Sequence, residues 1–449
     1  MTEMDLSTVP VKPITPVIGI NSSTGVGKSR EMLHIIATYS RSLRAQDNKG
    51  TAVVFLPTHK LGGELVEKFN AEYPDLTPRQ FLGITQEDPN QPGENMCHRD
   101  KLVTDLCKDG ASLKELCAKP RKGQFCPHHV DVADKPCGYS LQSEQSADVW
   151  FLPQQKLFRA APRCVRSPAL IFIDESFWQS SLEGFNPPYR FKLETLINGR
   201  GTNSRFNPLC ELGDTSLTVY DQLIREPDGL INVDELHAKL GTYAIEICRE
   251  AYRLEMSRLK KVRLRPDMSK QFLNTELDKL KGMAVMRLAK FWLLLKLAIA
   301  KGGMSPYLVK RTVQDNEGTT SWIYLYSKQL IHKSWDKPTV LLDATMPEEI
   351  NRVFYPQLFV EQFQCPMCHT TITQILDKTL SKAMMLPGET ATKRKQAERK
   401  RNIERLLSLL KVLISRIKSS VIIEGAPIKL LLITSKALES VLAQVGLPE

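Results

Sequence analysis

The feature that most constrains this chain lies close to its start, where an apolar run breaks and a helical pattern begins. Residues 16–20 are apolar, Asn21-Ser22-Ser23-Thr24-Gly25-Val26-Gly27-Lys28-Ser29 follows, and Met32, Leu33, Ile35, Ile36 and Tyr39 then recur at roughly helical spacing. The pattern reads as strand, loop, helix. Gly25 and Gly27 permit a tight backbone, so that peptide N–H groups and a helix N-terminus converge on phosphate oxygens. A lysine at position 28 supplies charge for the outer phosphates, and the Ser29 hydroxyl suits magnesium. The full motif asks for glycine where this chain has Ser22. With strand and helix in place, residues Ser23 to Ser29 are read as an ATP site.

Further apolar runs suit a parallel sheet covered on both faces: residues 51–56 (TAVVFL), 169–173 (ALIFI), 339–342, and 428–433 (IKLLLI) near the end. Asp174-Glu175 ends the second of these. An aspartate at the C-terminal edge of a parallel strand can hold magnesium beside a phosphate loop, and the adjacent glutamate can orient and deprotonate a water. The fold class expected is therefore α/β.

A chain of 449 residues has room for two or three domains. Its 61 basic and 50 acidic residues leave a net charge of +11, which favours polyanionic partners without demanding them. Met1 to Pro16 lacks the apolar core of a signal peptide, and Phe291 to Ala300 is too short to span a bilayer. These features predict a cytoplasmic protein without a membrane segment. There, ten cysteines argue for ligands or buried thiols rather than disulfides.

Two stretches interrupt the α/β pattern. Residues 86–142 hold Cys97, Cys107, Cys117, Cys126 and Cys137, with His98, His128 and His129 among them. Four converging thiolates suit an iron–sulfur cluster or a structural zinc, and the long, uneven spacings argue against a zinc ribbon. Cys107 shares a short apolar helix face with Leu102, Val103 and Leu106 and is read as a core thiol. Residues 233–300 read as helices. Arg253, Arg258, Lys260, Lys261, Arg263, Arg265 and Lys270 form a basic run there, either a track for a nucleic-acid backbone or a solvated face. Trp178, Phe185 and Tyr189 are candidates for base stacking or for core packing. Cys365-Pro366-Met367-Cys368-His369 lacks a second ligand pair and is read as two ordinary thiols. Residues 393–405 predict a basic helix opening a new domain.

Taken in order, these elements resemble superfamily-two DNA helicases, and within them the XPD/DinG-type iron–sulfur group. Thr24-Gly25-Val26-Gly27-Lys28-Ser29 resembles motif I, and Leu56-Pro57-Thr58-His59-Lys60-Leu61 resembles motif Ia. Ala147-Asp148-Val149-Trp150 through Gln154-Gln155-Lys156-Leu157 resembles the segment before motif II. Asp174-Glu175-Ser176-Phe177 stands in the place of a DEAH-type motif II, from which Ser176 and Phe177 depart. Asp343-Ala344-Thr345-Met346-Pro347 resembles the Ser-Ala-Thr motif III, with Asp343 in place of serine. Asn95-Met96-Cys97 and Cys137-Gly138-Tyr139 resemble the outer ligand segments of the group's cluster domain.

The resemblance implies a P-loop NTPase of RecA-like fold, with a cysteine-rich insertion, a helical insertion and the start of a second RecA-like lobe. The first lobe would occupy residues 1–90, 141–230 and 331–360, the cysteine-rich insertion 91–140, an arch-like helical insertion 231–330, and the second lobe 361–449. Motifs V and VI would lie beyond Glu449, so the second lobe reads as truncated. The implied activity is ATP-dependent movement along single-stranded DNA, 5′ to 3′, with duplex unwinding and with replication or repair proteins as partners. Lys28, Asp174 and Glu175 would be catalytic, Ser29 and Asp174 would hold Mg2+, and Thr58, His59 and Thr345 would contact DNA or couple it to hydrolysis. Cys97, Cys117, Cys126 and Cys137 would hold a [4Fe-4S] cluster, with zinc as the alternative metal. A non-catalytic nucleotide- and DNA-binding module, or another kind of P-loop ATPase, are the competing expectations.

Overall fold

Val53 and Phe55 alternate with Ala52, Val54 and Leu56, and all five are buried, so both faces of this strand are covered. A strand with this pattern belongs in the middle of a parallel sheet. The computed structural model, which describes residues 15–23, 25–108, 111–198, 212–259, 264–283, 285–315, 318–363 and 393–420, places it there. Seven strands form one sheet: β1 (Val17–Ser22), β2 (Thr51–Leu56), β3 (Pro78–Gln80), β4 (Val149–Pro153), β5 (Pro168–Asp174), β6 (Thr339–Asp343) and β7 (Leu358–Phe363). Their order is β7-β1-β6-β5-β2-β4-β3, and every pairing is parallel.

Helices α1 (Lys28–Ala45) and α2 (His59–Glu72) cover one face, burying Met32, Leu33, Ile36, Leu65 and Phe69 against Ala52, Val54, Leu56 and Phe151. The other face packs on irregular chain, with Leu157, Phe158, Phe177 and Trp335 against Val53, Phe55, Trp150 and Ile173. Parallel strands need crossovers, and the long ones here carry the two interruptions seen in the sequence. The cysteine-rich segment links β3 to β4, and a larger body links β5 to β6.

That larger body is not wholly helical, which corrects the expectation for residues 231–330. Helices Asp234–Leu240, Ala244–Leu259, Lys270–Met283 and Val285–Lys301 are present, but so is a four-stranded antiparallel sheet. Its strands run in the order Arg190–Lys192, Gly318–Leu325, Met304–Asp315, Gly229–Asn232. The reason is legible in hindsight. Leu308, Ile323, Leu325 and Phe191 alternate with polar or aromatic neighbours and bury one face against Phe291, Trp292 and Leu295. The apolar run at 291–300 is the core of the Val285–Lys301 helix, buried on most sides.

The two interruptions dock together. Leu102, Val103 and Leu106 of α3 (Asp100–Lys108) pack with Leu116 and with Leu273 from the second body. Lys119 Nζ donates to Leu264 O at 2.7 Å, and Arg99 donates to Pro266 O and Met268 O at 3.4 and 3.3 Å. Contacts divide the chain after Cys365, close to the expected boundary at 361, although β7 crosses it and belongs to the first sheet. Of the second unit only a helix, Lys393–Ser420, is described. The expected strand at 428–433, Cys365, Cys368 and His369 lie outside the described residues. Among the described residues no helix is long and apolar enough to cross a membrane.

Candidate nucleotide-binding site

β1 ends at Ser22, and α1 begins at Lys28 with Gly27 as its cap. Gly25 and Gly27 sit at φ 81° and 88°, in the left-handed region where a side chain costs roughly 1–2 kcal/mol. A Cβ on either would meet nothing within 4 Å, so the backbone and not space demands glycine. Ser22 explains itself in the same terms. It is the last residue of an extended strand, so the first glycine of the motif has no conformational task here. Thr24 lies outside the described residues, and Val26 is exposed.

Lys28 folds back over the loop, donating from Nζ to Ser22 O at 2.6 Å and to Ser23 O at 3.0 Å. Ser29, half-buried, stands beside it in the first turn of α1. The helix dipole and the free N–H groups of that turn favour an anion at this end.

The acidic partners come from β6, next to β1, and from β5 on its far side. In register, Asn21 pairs with Asp343, and Leu342 pairs with Asp174, so the carboxylates of β5 and β6 end at the same edge as the phosphate loop. This is the carboxyl edge where open α/β sheets bind ligands. Glu175 follows at φ 63°, an uncommon conformation for a non-glycine residue, and its N–H donates to Leu342 O at 2.7 Å. Gln154 braces the same turn, with Nε2 donating to Asp174 O at 2.9 Å and to Glu175 O at 3.3 Å. Ser176 Oγ donates to Asp343 Oδ2, and the Thr345 N–H donates to Asp343 Oδ1 at 2.9 Å. Thus Ser176 and Asp343, two residues that depart from the helicase wording, are hydrogen-bonded to each other. Sequence reading named Gln154, Ser176 and Asp343 without giving them these roles, because their partners are far away in the chain.

Burial raises the Asp174 carboxyl to about 6; Glu175 and Asp343 push the same way, and Lys28 opposes them. Magnesium needs the carboxylate, so magnesium-dependent nucleotide binding is expected to weaken as pH falls through about 6. Stability moves oppositely. A carboxyl raised from 3.8 keeps its proton longer in the folded state, and that contribution is lost as pH rises through about 6. Without magnesium, Asp174→Asn is therefore expected to melt higher than the parent, by a margin that grows as pH rises from about 4 to about 6. Melting curves with a margin independent of pH would refute it.

Thr58 caps α2, accepting from Leu61 N at 3.2 Å, and its side chain is exposed. His59 is half-buried; burial, then the nearby Lys156 charge, lowers its pKa. Its Nδ1 is buried with no hydrogen-bond partner. Thr345 is exposed beyond Asp343, on the edge that carries Lys28.

The structure also brings four of the cysteines together. Cys117 is pushed up to about 12, first by burial and then by the thiols of Cys137, Cys126 and Cys97. Cys97 is pushed up to about 11 by burial, with Cys137 and Cys126 again adding to it. Backbone bonds hold the segments: Cys126 N donates to Cys117 O at 2.9 Å, and Tyr139 N to Met96 O at 2.8 Å. Cys107 faces the apolar side of α3, and burial alone raises its thiol. Among the described residues no group of three or more His, Cys, Asp or Glu side chains is placed to hold a metal ion.

Of the basic run, Arg253 pairs with Glu250 at 2.6 Å and Arg265 with Asp267 at 3.4 Å, while Lys260, Lys261 and Arg263 lie outside the described residues. A cavity of about 720 Å³ opens at the opposite edge of the sheet, between Arg44, Thr51, Thr77, Asp148 and Ser167, away from all of this chemistry.

No family model matches the chain, and no curated protein does. Among solved structures it is similar to one described as Mss116p DEAD-box helicase domain 2 bound to an RNA duplex. The identity is 13% over 64% of this chain and 94% of that one, with a TM-score of 0.18. Function is therefore read from the site itself.

Proposed function

We propose that the chain is an ATP-dependent DNA helicase or translocase that hydrolyses ATP to move on single-stranded DNA. One observation carries the reading: Lys28, Asp174 and Glu175 lie at one sheet edge, on the glycine loop after β1 and at the end of β5, with β6 between the two strands. Lys28 exchanges its two carbonyl partners for the outer phosphates, where its charge stabilises the transferring group. Glu175, fixed by Gln154 and by its bond to Leu342, orients and deprotonates the attacking water. Ser29 and Asp174 would hold Mg2+, which neutralises charge developing between the phosphates. The Ser176–Asp343–Thr345 bonds link the glutamate turn to an exposed threonine, which suits a relay to the DNA-contacting loops.

Cys97, Cys117, Cys126 and Cys137 would hold a [4Fe-4S] cluster, which stiffens a segment otherwise made of short hairpins and turns. Cys137 and Cys126 act on the thiols of both Cys97 and Cys117, which suits a shared centre, and the long, uneven spacing of the four argues against a zinc ribbon. The raised thiols of Cys97 and Cys117 mean that ligation there releases protons.

The test is ATP hydrolysis by the full chain, with and without a single-stranded oligonucleotide, on protein purified without oxygen. Several-fold stimulation is expected, with iron and sulfide in equal amounts. Nucleotide binding with no turnover would instead make the chain a binding module. Hydrolysis indifferent to DNA would make it another kind of P-loop ATPase.

A further inference from the structure

The solvent face of an antiparallel sheet ordinarily carries polar residues. The four-stranded sheet of the second body carries aromatic rings there as well as cations. On the Gly318–Leu325 strand, Ile323 and Leu325 point into the core, so Trp322 and Tyr324 lie on the opposite face, where Trp322 and the following Tyr326 are half-buried and Tyr324 is buried beneath its neighbours. Strand neighbours on that outward face are Arg190 and Lys192 on one side and Val309 and Arg311 on the other.

Cations and rings interleave there. The Arg190 guanidinium lies 4.2 Å from the Trp322 ring centre and 5.4 Å from that of Tyr324, and its Nη1 donates to the Tyr324 hydroxyl at 2.6 Å. Arg311 approaches Tyr324 at 5.1 Å, so two guanidinium groups flank this ring, and Lys192 approaches Trp322 at 5.8 Å. Tyr324 and Tyr326 stack at 6.4 Å with their planes 19° apart. Phe185 extends the row against Tyr326 at 4.5 Å, and it is 55% exposed. The flanking Asp228 turns its carboxylate to Thr312, at 2.8 Å for both oxygens. Each ring is thus held in place by a neighbour, which lowers the entropy lost when a ligand lies against it.

We infer that this face is a base-stacking platform for single-stranded nucleic acid, with Trp322, Tyr326 and Phe185 as the stacking rings and Arg190, Lys192 and Arg311 as the backbone contacts. Trp322 and Tyr326 are four residues apart, about 13 Å at the rise of a strand, so they take separate bases, and Phe185 backs the Tyr326 ring at 4.5 Å. Unpaired bases present π faces that a duplex hides, and phosphates complement the cations. An acidic peptide satisfies the cations and leaves the rings idle, so the rings choose the ligand. For its ligand class the platform rests on the single-strand reading above. It adds a second contact on the track, on a different body from the ATP edge and outside the basic run of residues 253–270.

The measurement is anisotropy of a labelled oligothymidylate with the full chain, without nucleotide, across a salt series. Trp322→Ala is expected to weaken binding roughly tenfold, the effect of losing one stacked base, and Trp322→Phe to recover most of it. Arg311→Gln should lower the salt slope by about 0.7, the share of one phosphate on a single strand. An acidic peptide such as oligoglutamate should compete poorly.

The outcomes separate the two readings. If Trp322→Ala and Arg311→Gln bind like the parent while DNA still stimulates hydrolysis, the platform is wrong and the motor stands. If both variants lose affinity and hydrolysis is indifferent to DNA, the motor is wrong and the platform stands. No affinity for the oligonucleotide in the parent chain, or equal loss to oligoglutamate, overturns the platform outright.

Discussion

Lys28→Ala is expected to abolish ATP hydrolysis, with a fall of at least about 10²-fold, the scale of removing one preorganised charge from a developing oxyanion. The structure makes this a clean deletion. Lys28 is half-buried at the first position of α1, and among the described residues its hydrogen bonds go to loop carbonyls, Ser22 O and Ser23 O. Alanine keeps the helix and frees two acceptors beside an open site, so thermal stability should hardly change. Glu175→Gln is the informative partner. It keeps the shape of the turn braced by Gln154 but removes the base, so nucleotide binding should persist while turnover falls by about 10²–10⁴. Nucleotide titrations and single-turnover rates on both variants test the pair. If Glu175→Gln turned over at the parent's rate, another group would be activating water.

The second large effect is on the fold. Trp335→Ala should cost about 3–5 kcal/mol, as removal of a large core aromatic does. Trp335 is completely buried, its ring edge meets Phe55 at 5.0 Å and 87°, and its indole N–H donates to Lys156 O and Arg159 O, both at 2.9 Å. Those carbonyls flank the turn that starts at Gln154, the brace of Asp174 and Glu175. Deletion therefore leaves a cavity under β2 and two acceptors without their donor, next to the support of the catalytic turn. A lower denaturant midpoint should come with a lower turnover number, and Trp335→Phe should restore most of the packing but not the two hydrogen bonds. A Trp335→Ala chain with an unchanged midpoint would show that the loop relaxes into the space.

Much of the site was legible because it is local. The phosphate loop, its strand and its helix lie within a short stretch, and φ-positive glycines, apolar runs and helical spacing are properties of neighbouring residues. Asp174-Glu175 was legible for the same reason, as the end of a buried run. The four-stranded sheet was not, because alternation in 304–325 is interrupted by charged residues and sits beside a strongly helical stretch. Cys107 was separable by its place on the apolar face of a short helix, while Cys97 and Cys137 as outer ligands followed a resemblance. Their proximity is a matter of hairpin geometry that spacing alone does not state.

The sequence by itself determined that this chain carries a phosphate-loop motif between a strand and a helix of an α/β scaffold, since backbone conformation and burial pattern are written in adjacent residues. Only the tertiary structure decided what stands beside the loop. Ser176 and Asp343 are 167 residues apart and meet because β5 and β6 pair in one register. The row of rings and guanidinium groups on the second sheet arises likewise, from strands that the chain brings together over more than a hundred residues, Arg190 against Tyr324 being 134 apart. Register is set by the packing of whole faces, which no local pattern contains.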